Sequence, residues 1–246
     1  MIDVNNLDWR ALSCNSNAIK LLKENQDKID WYWLSFNSNA IELLENNKNK
    51  INWDNLSSNH TAIHLLKQNQ NKINWWNLSE NPNAMSLINQ NKNIIYYTFL
   101  SNNPSSIELL KENIDMVDWS CLSKNPNAIE LLKENLNKIN WYYLSLNPKA
   151  IELLKENQKK INWKYLSLNP NAIEILEKNK NKINWKLLSL NPNAIELLKE
   201  NQGCINWWNF SKNPNIFTYD YKKMKEIMDN SLFKEELMEF IINYRF

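Results

Sequence analysis

Apolar and polar positions along this chain follow two rhythms. Within a short stretch, Ala194, Ile195, Leu197 and Leu198 alternate with Glu196, Lys199 and Glu200 as they would around a helix. At about 100° per residue the four apolar positions span an arc of roughly 160°. Over longer range the whole pattern returns every 22 residues. Trp stands at positions 9, 31, 53, 75, 119, 141, 163, 185 and 207, and Tyr97 fills the one gap. A period of about 20–50 residues marks a repeat array. The expected fold is therefore all-α: an α-solenoid of about ten helix-turn-helix repeats over residues 1–215. It includes a short N-terminal remnant at 1–8 and a degenerate repeat at 97–118. Capping helices are expected over 216–246, where the period dissolves.

The ninth repeat, which begins at Trp185, predicts two helices. Asn184 is the expected N-cap of the short one, as Asp30 and Asp118 are before Trp31 and Trp119, because Asn and Asp accept from the orphan N–H groups of a first turn. For the long helix the expected N-cap is Asn191, with Pro192 at the first helical position. All seven Pro residues share this phase, whereas the first three repeats carry Ser16, Ser38 and His60 there. Lacking the preset φ, that N-terminal third is expected to exchange amide hydrogens faster than repeats six to nine. Asn201 is expected to end the long helix in the left-handed conformation. The Trp column is expected to be the main adhesive between repeats; a column of exposed, ligand-stacking Trp rings is the competing reading.

Two segments break the pattern. Ile94–Leu100 replaces a Lys, the capping Asn and the Trp, which reads as a bend, a hinge, a contact site or a drifted repeat. Residues 231–246 are strongly apolar and read as a cap on the last repeat or as a helix for a partner. If they form a cap, deleting them should lower the melting temperature or cause aggregation.

Composition narrows the function classes. The chain has 246 residues, one Gly and a formal net charge of +2, from 29 basic and 27 acidic side chains. Phosphate-cradling loops need several Gly residues, and general nucleic-acid binders need an excess of positive charge. Cys14, Cys121 and Cys204 fall at different phases of the repeat and read as reduced thiols. The start of the chain lacks the pattern of a signal peptide, and no apolar run is long enough for a membrane span. A cytoplasmic protein with no membrane partner and no cofactor is expected.

Candidate chemistry is sparse. His60 and His64 are spaced to share a helix face and half-ligate a metal, but no third or fourth ligand is apparent, so no metal site is assigned. The Ser and Glu columns recur in every repeat, as structural residues do, whereas a catalytic triad is a unique constellation. No catalytic residue is assigned and the chain is expected not to be an enzyme.

Variation inside the array points to a binding surface. Counting from each Trp, the third and sixth following positions hardly change, while the first, second and fifth vary freely. These three lie about 100°, 200° and 140° around from Trp, in one strip. Along the chain the strip holds Arg10, Tyr32, Trp33, Phe36, Trp76, Phe99, Lys124, Tyr142, Tyr143, Lys164, Tyr165, Lys186, Trp208 and Lys212. Aromatic side chains interleaved with cations suit a protein partner, because Tyr, Trp and Arg are common hot spots. Single-stranded nucleic acid stacking on the rings is the alternative, opposed by the near-neutral charge and by the lack of a regular basic residue in the strip. A third reading has the aromatics partly buried between neighbouring short helices, binding nothing.

The repeat unit Asn-Trp-x-x-Leu-Ser-x-Asn-Pro-Asn-Ala-Ile-Glu-Leu-Leu-Lys-Glu-Asn resembles the short tandem-repeat proteins of giant DNA viruses of the mimivirus type and their relatives. The passages Asn213–Phe217 and Tyr219–Tyr221, followed by Glu235–Leu237, are similar to the ending of such proteins. The last dozen residues depart from the His-Pro-x-Arg ending of that family. The resemblance implies a viral α-helical array acting in the host cytoplasm, and it brings no catalytic residues with it.

Overall fold

The computed structural model describes residues 7–215, and these are all helices, turns and short extended links. The expected capping helices at 216–246 and most of the expected remnant at 1–8 lie outside the described residues. The chain divides into two compact units, Met1–Leu166 and Ser167–Phe246.

In the first unit the seventh repeat shows the common plan. A short helix, Trp141–Leu144, is followed by a turn, a second helix at Ile151–Glu156 and a one-turn 3-10 segment at Gln158–Lys160. Helices of four to six residues are not stable alone, since nucleation costs more than so few hydrogen bonds return. Stacking must supply the difference, and the repeat is an α-solenoid unit built for it. Leu144, Ala150, Leu153, Leu154 and Ile161 are buried, and the same five phases form the core of the neighbouring repeats. Ile151, by contrast, is only half-buried.

The second component of the stack is polar. Ser145 Oγ donates to the Trp141 carbonyl at 2.7 Å and accepts the Asn162 backbone N–H at 3.0 Å. Asn147 Nδ2 reaches back one repeat to the carbonyls of Ser123 at 3.2 Å and Asn125 at 3.0 Å. Equivalent bonds recur at Asn37, Asn59, Asn81, Asn103 and Asn125. The Ser and Asn columns therefore form a buried ladder between repeats. No buried side-chain nitrogen or oxygen among the described residues lacks a partner. Leaving such carbonyls unpaired would cost about 1–3 kcal/mol each, so these two residue types are fixed by packing.

The second unit repeats this plan with Trp185–Leu188, Ile195–Glu200 and Trp207–Phe210. Asn191 Nδ2 bonds the Ser167 and Asn169 carbonyls at 3.1 and 2.9 Å, and Asn213 Nδ2 bonds those of Ser189 and Asn191 at 3.2 and 2.8 Å.

Three expectations about local structure are corrected. The long helix begins at Ile195, so Asn191 does not cap it. Instead Asn191 Oδ1 accepts from the Asn193 N–H at 3.0 Å, closing a tight turn in which Pro192 supplies the φ. Asn37 and Asn39 make the same turn at 3.0 Å around Ser38, without Pro. Second, Asn201 is not left-handed (φ −128°), and no described residue has positive φ. Its Nδ2 donates to the Leu197 carbonyl at 2.7 Å, which satisfies the helix end without a reversal of the backbone. Third, the Trp residues of the repeat from Trp9 to Trp185 are half-buried, while Leu at the third following position is buried in every repeat from the second to the ninth. The apolar core is Leu, Ala and Ile, and the indole rings flank it. The expected caps Asp30, Asp118 and Asn184 do accept from the first turns of their short helices. Glu196 and Lys199, on the polar side of the second helix, pair at 2.7 Å.

Candidate partner-binding surface

The strip residues sort by position. Side chains directly after the Trp stand outward: Tyr32, Trp76, Tyr142, Lys164, Lys186 and Trp208 are exposed. Those at the second position, Trp33, Phe99, Tyr143 and Tyr165, are half-buried between neighbouring short helices. Apart from Ala11, Cys121 and Leu187, the second position is Asn or aromatic. Where it is Asn, its Nδ2 bonds a carbonyl of the preceding short helix: Asn55 to Tyr32 and Asn77 to Asp54 at 2.8 Å, and Asn209 to Lys186 at 2.6 Å. At Trp33, Phe99 and Tyr165 the ring packs on the outward side chain of the preceding repeat. Arg10 lies 4.8 Å from the Trp33 ring centroid, Trp76 lies 4.6 Å from Phe99, and Tyr142 lies 3.8 Å from Tyr165.

In the first unit the expected strip thus resolves into three clusters. Tyr32, Trp33 and Phe36 pack edge-on or tilted within 6.4 Å of one another, with Arg10 above. Trp76 gathers Phe99 and Tyr96. Tyr142, Tyr143 and Tyr165 form the third, with Lys124 4.0 Å over Tyr143 and Lys164 5.5 Å over Tyr165. The Tyr142 and Tyr165 hydroxyls are hydrogen-bonded to each other, and that bond pushes the Tyr142 phenol up to about 12. Polar repeats separate the clusters, with Asp54 and Ser58 in one and Ser120 and Cys121 in another. In the second unit Lys212 lies 3.2 Å over the Trp208 ring, and Trp208 is 69% exposed.

A further surface feature lies outside the strip. The turn that closes each repeat sends a Lys over the Trp that opened it. Lys28, Lys50, Lys72, Lys138 and Lys160 lie 4.6–5.0 Å from the rings of Trp9, Trp31, Trp53, Trp119 and Trp141. In the first unit two consecutive repeats break this column: Ile94 and Met116 stand where the Lys would be, 48% and 58% exposed. Tyr96 and Leu136 are exposed beside them. The signal in the sequence lies outside the three phases that define the strip: Ile94 there replaces a Lys, and Met116 repeats the change one repeat later.

Other candidates resolve into ordinary contacts. His64 Nε2 meets Glu45 Oε1 at 2.6 Å, and no group of three metal-ligating side chains occurs among the described residues. Burial pushes the Cys121 thiol up, with Asp118 adding to it, which opposes thiolate formation. All three cysteines are free thiols. An open groove of about 390 Å³ between the second helices of repeats four and five is lined by Met85, Lys92, Ser105, Glu108 and Glu112 among others. Its charges are already paired, Lys92 with Glu112 at 3.2 Å and Glu108 with Lys111 at 3.0 Å. No described helix is long and apolar enough to cross a membrane. The chain matches no known protein family, and no curated protein or solved structure is similar to it.

Proposed function

We propose that this chain is a non-enzymatic scaffold that binds a protein partner through the aromatic clusters of its short helices. One observation carries the reading: the outward ring of one repeat rests on the inward ring of the next, as Trp76 does on Phe99 and Tyr142 on Tyr165. Exposed rings held in place by a neighbour lose little side-chain entropy on binding, which is the property of an interface anchor. The cations of the strip already lie over its own rings, at Trp33, Tyr143, Tyr165 and Trp208. That leaves fewer free ring faces for bases and so favours protein over single-stranded nucleic acid. The repeat consensus supports placing the chain with the tandem-repeat proteins of giant DNA viruses, acting in the host cytoplasm.

The test is affinity capture with the full chain, followed by hydrogen exchange on the captured complex. A partner should protect the amides around Tyr32 and Tyr142, and the Tyr32→Ala/Trp76→Ala/Tyr142→Ala variant should lose it. A variant altered only on the second helices, Glu108→Ala/Glu130→Ala, should keep it. Capture that survives the triple substitution would overturn the proposal. Tight binding of a single-stranded oligonucleotide with a steep salt dependence would replace it with the nucleic-acid reading.

A further inference from the structure

The turn edge of the first unit is basic on both sides of an apolar gap. Lys50 and Lys72 stand before the gap and Lys138 and Lys160 after it, each over a Trp ring. Inside it, Ile94, Tyr96, Met116 and Leu136 are exposed. Lone exposed apolar residues need no explanation, but four at the turn ends of three consecutive repeats do. Tyr96 also carries a local cost. It occupies the position of the capping Asn or Asp, and its short helix has no side-chain cap. Giving up a cap costs about 1 kcal/mol. An exposed ring purchased at the expense of helix stability is where sequence rules are expected to fail for a functional reason.

We propose that this gap docks an acidic peptide segment with large apolar side chains at its centre. The charge pattern specifies the arrangement. The flanking lysines call for carboxylates at the two ends of the segment. Asp115, the one carboxylate in the turns 92–94, 114–116 and 136–138, disfavours them at the middle. From Lys72 to Lys138 the edge crosses three repeats, or roughly 25–30 Å at about 8–10 Å per packed helix. An extended chain of about nine residues spans that length. Nucleic acid fits the same edge less well, because a uniform row of phosphates finds no partner in Ile94, Met116 and Leu136. The site meets the second short-helix cluster at Tyr96, whose ring lies 6.2 Å from that of Trp76, while Ile94 and Met116, which the test alters, lie outside the clusters.

The probe is a fluorescein-labelled nonapeptide, Asp-Asp-Glu-Leu-Phe-Leu-Glu-Asp-Asp, titrated with the full chain and read by anisotropy. The decisive variant is Ile94→Lys/Met116→Lys, which installs the residue that other repeats carry and so preserves the fold. Circular dichroism and the melting curve of that variant should match the parent. Saturable binding that weakens at least tenfold in this variant, and at least tenfold when Leu-Phe-Leu in the peptide becomes Ser-Ser-Ser, is the expected result. Tyr142→Ala/Tyr165→Ala should leave it unchanged. The inference is overturned by no binding, by equal binding to the double Lys variant or to the serine peptide, or by a nine-nucleotide oligothymidine that binds more tightly. Loss of peptide binding only in the Tyr variant would also overturn it, moving the peptide to the short-helix clusters and leaving that other reading intact.

Discussion

Repeats five and seven occupy the same frame and differ in almost everything outside it. Both bury their Leu, Leu100 and Leu144, and both carry the polar ladder. Asn103 bonds the Ser79 and Asn81 carbonyls at 2.9 and 3.0 Å, much as Asn147 bonds those of Ser123 and Asn125. Beyond the frame they diverge. Repeat seven caps its short helix with Asn140, whereas repeat five has Tyr96 and no cap. At the third position of the turn repeat seven carries Lys149, whose Nζ donates to Asn127 Oδ1 at 3.2 Å, whereas repeat five carries Ser105. Lys160 covers Trp141, but Met116 stands in the corresponding place for Tyr97. The array therefore tolerates a wide change of surface chemistry as long as the Leu core and the Ser–Asn ladder are kept.

The most damaging way to probe this comparison is to attack the shared frame. Asn103→Ala and Asn147→Ala each remove two hydrogen bonds and leave one carbonyl, Ser79 or Ser123, without its donor, at about 1–3 kcal/mol, while the Asn81 and Asn125 carbonyls keep the Ala84 and Ala128 N–H groups. Urea denaturation should show the two variants losing stability to within about 1 kcal/mol of each other, if the ladder works alike in both repeats. A large difference would break the comparison. Core truncation comes next. Leu144→Ala should cost about 2–5 kcal/mol, more than Trp141→Ala in the same repeat, because the Leu is buried and the Trp half-buried. The reverse order would restore the indole column as the main adhesive.

A smaller effect sharpens the contrast outside the frame. Tyr96→Asn should raise stability by about 1 kcal/mol, as a restored cap does. Smallest is the difference in rung chemistry. The Trp76–Phe99 contact has no titrating group, whereas Tyr142 is held neutral by its bond to Tyr165. The folded-state phenol is raised from its ordinary value near 10 to about 12. Its contribution to stability is thus fully present below pH of about 10 and is lost as pH climbs through the folded value. Spectrophotometric titration should show one phenol shifted upward, and Tyr165→Phe should bring it back.

The repeat length, the two helices and the short-helix caps were all legible in the sequence, because a 22-residue period and Asn or Asp before each Trp have direct physical meanings. The role of Trp was not. Periodicity reports that a position is constrained, and cannot distinguish a ring in the core from one that flanks it beneath a lysine. The ladder was hidden for a related reason. Asn147 looks like a helix cap from its neighbours in the chain, but its amide is spent on carbonyls 22 and 24 residues earlier. Asn201 was misread because a side-chain amide can satisfy a helix carbonyl as well as a left-handed residue can. For the candidate surfaces, the aromatic strip followed from its helical phase. The apolar gap was half legible: Ile94 in place of a Lys marked 94–100 as a break, but Met116 and Leu136 lie in turns, where helical phase says nothing.

The measurement that bears most directly on the contrast is native-state hydrogen exchange at two equivalent amides. Tyr143 donates its backbone N–H to Asn140 Oδ1 at 3.3 Å, and Phe99 has no such acceptor because Tyr96 replaces the cap. Phe99 should exchange faster than Tyr143 in the parent chain, and Tyr96→Asn should slow it to the Tyr143 rate. Equal rates in the parent, or a Phe99 rate unmoved by the substitution, would contradict the claim that repeat five gave up its cap for an exposed ring.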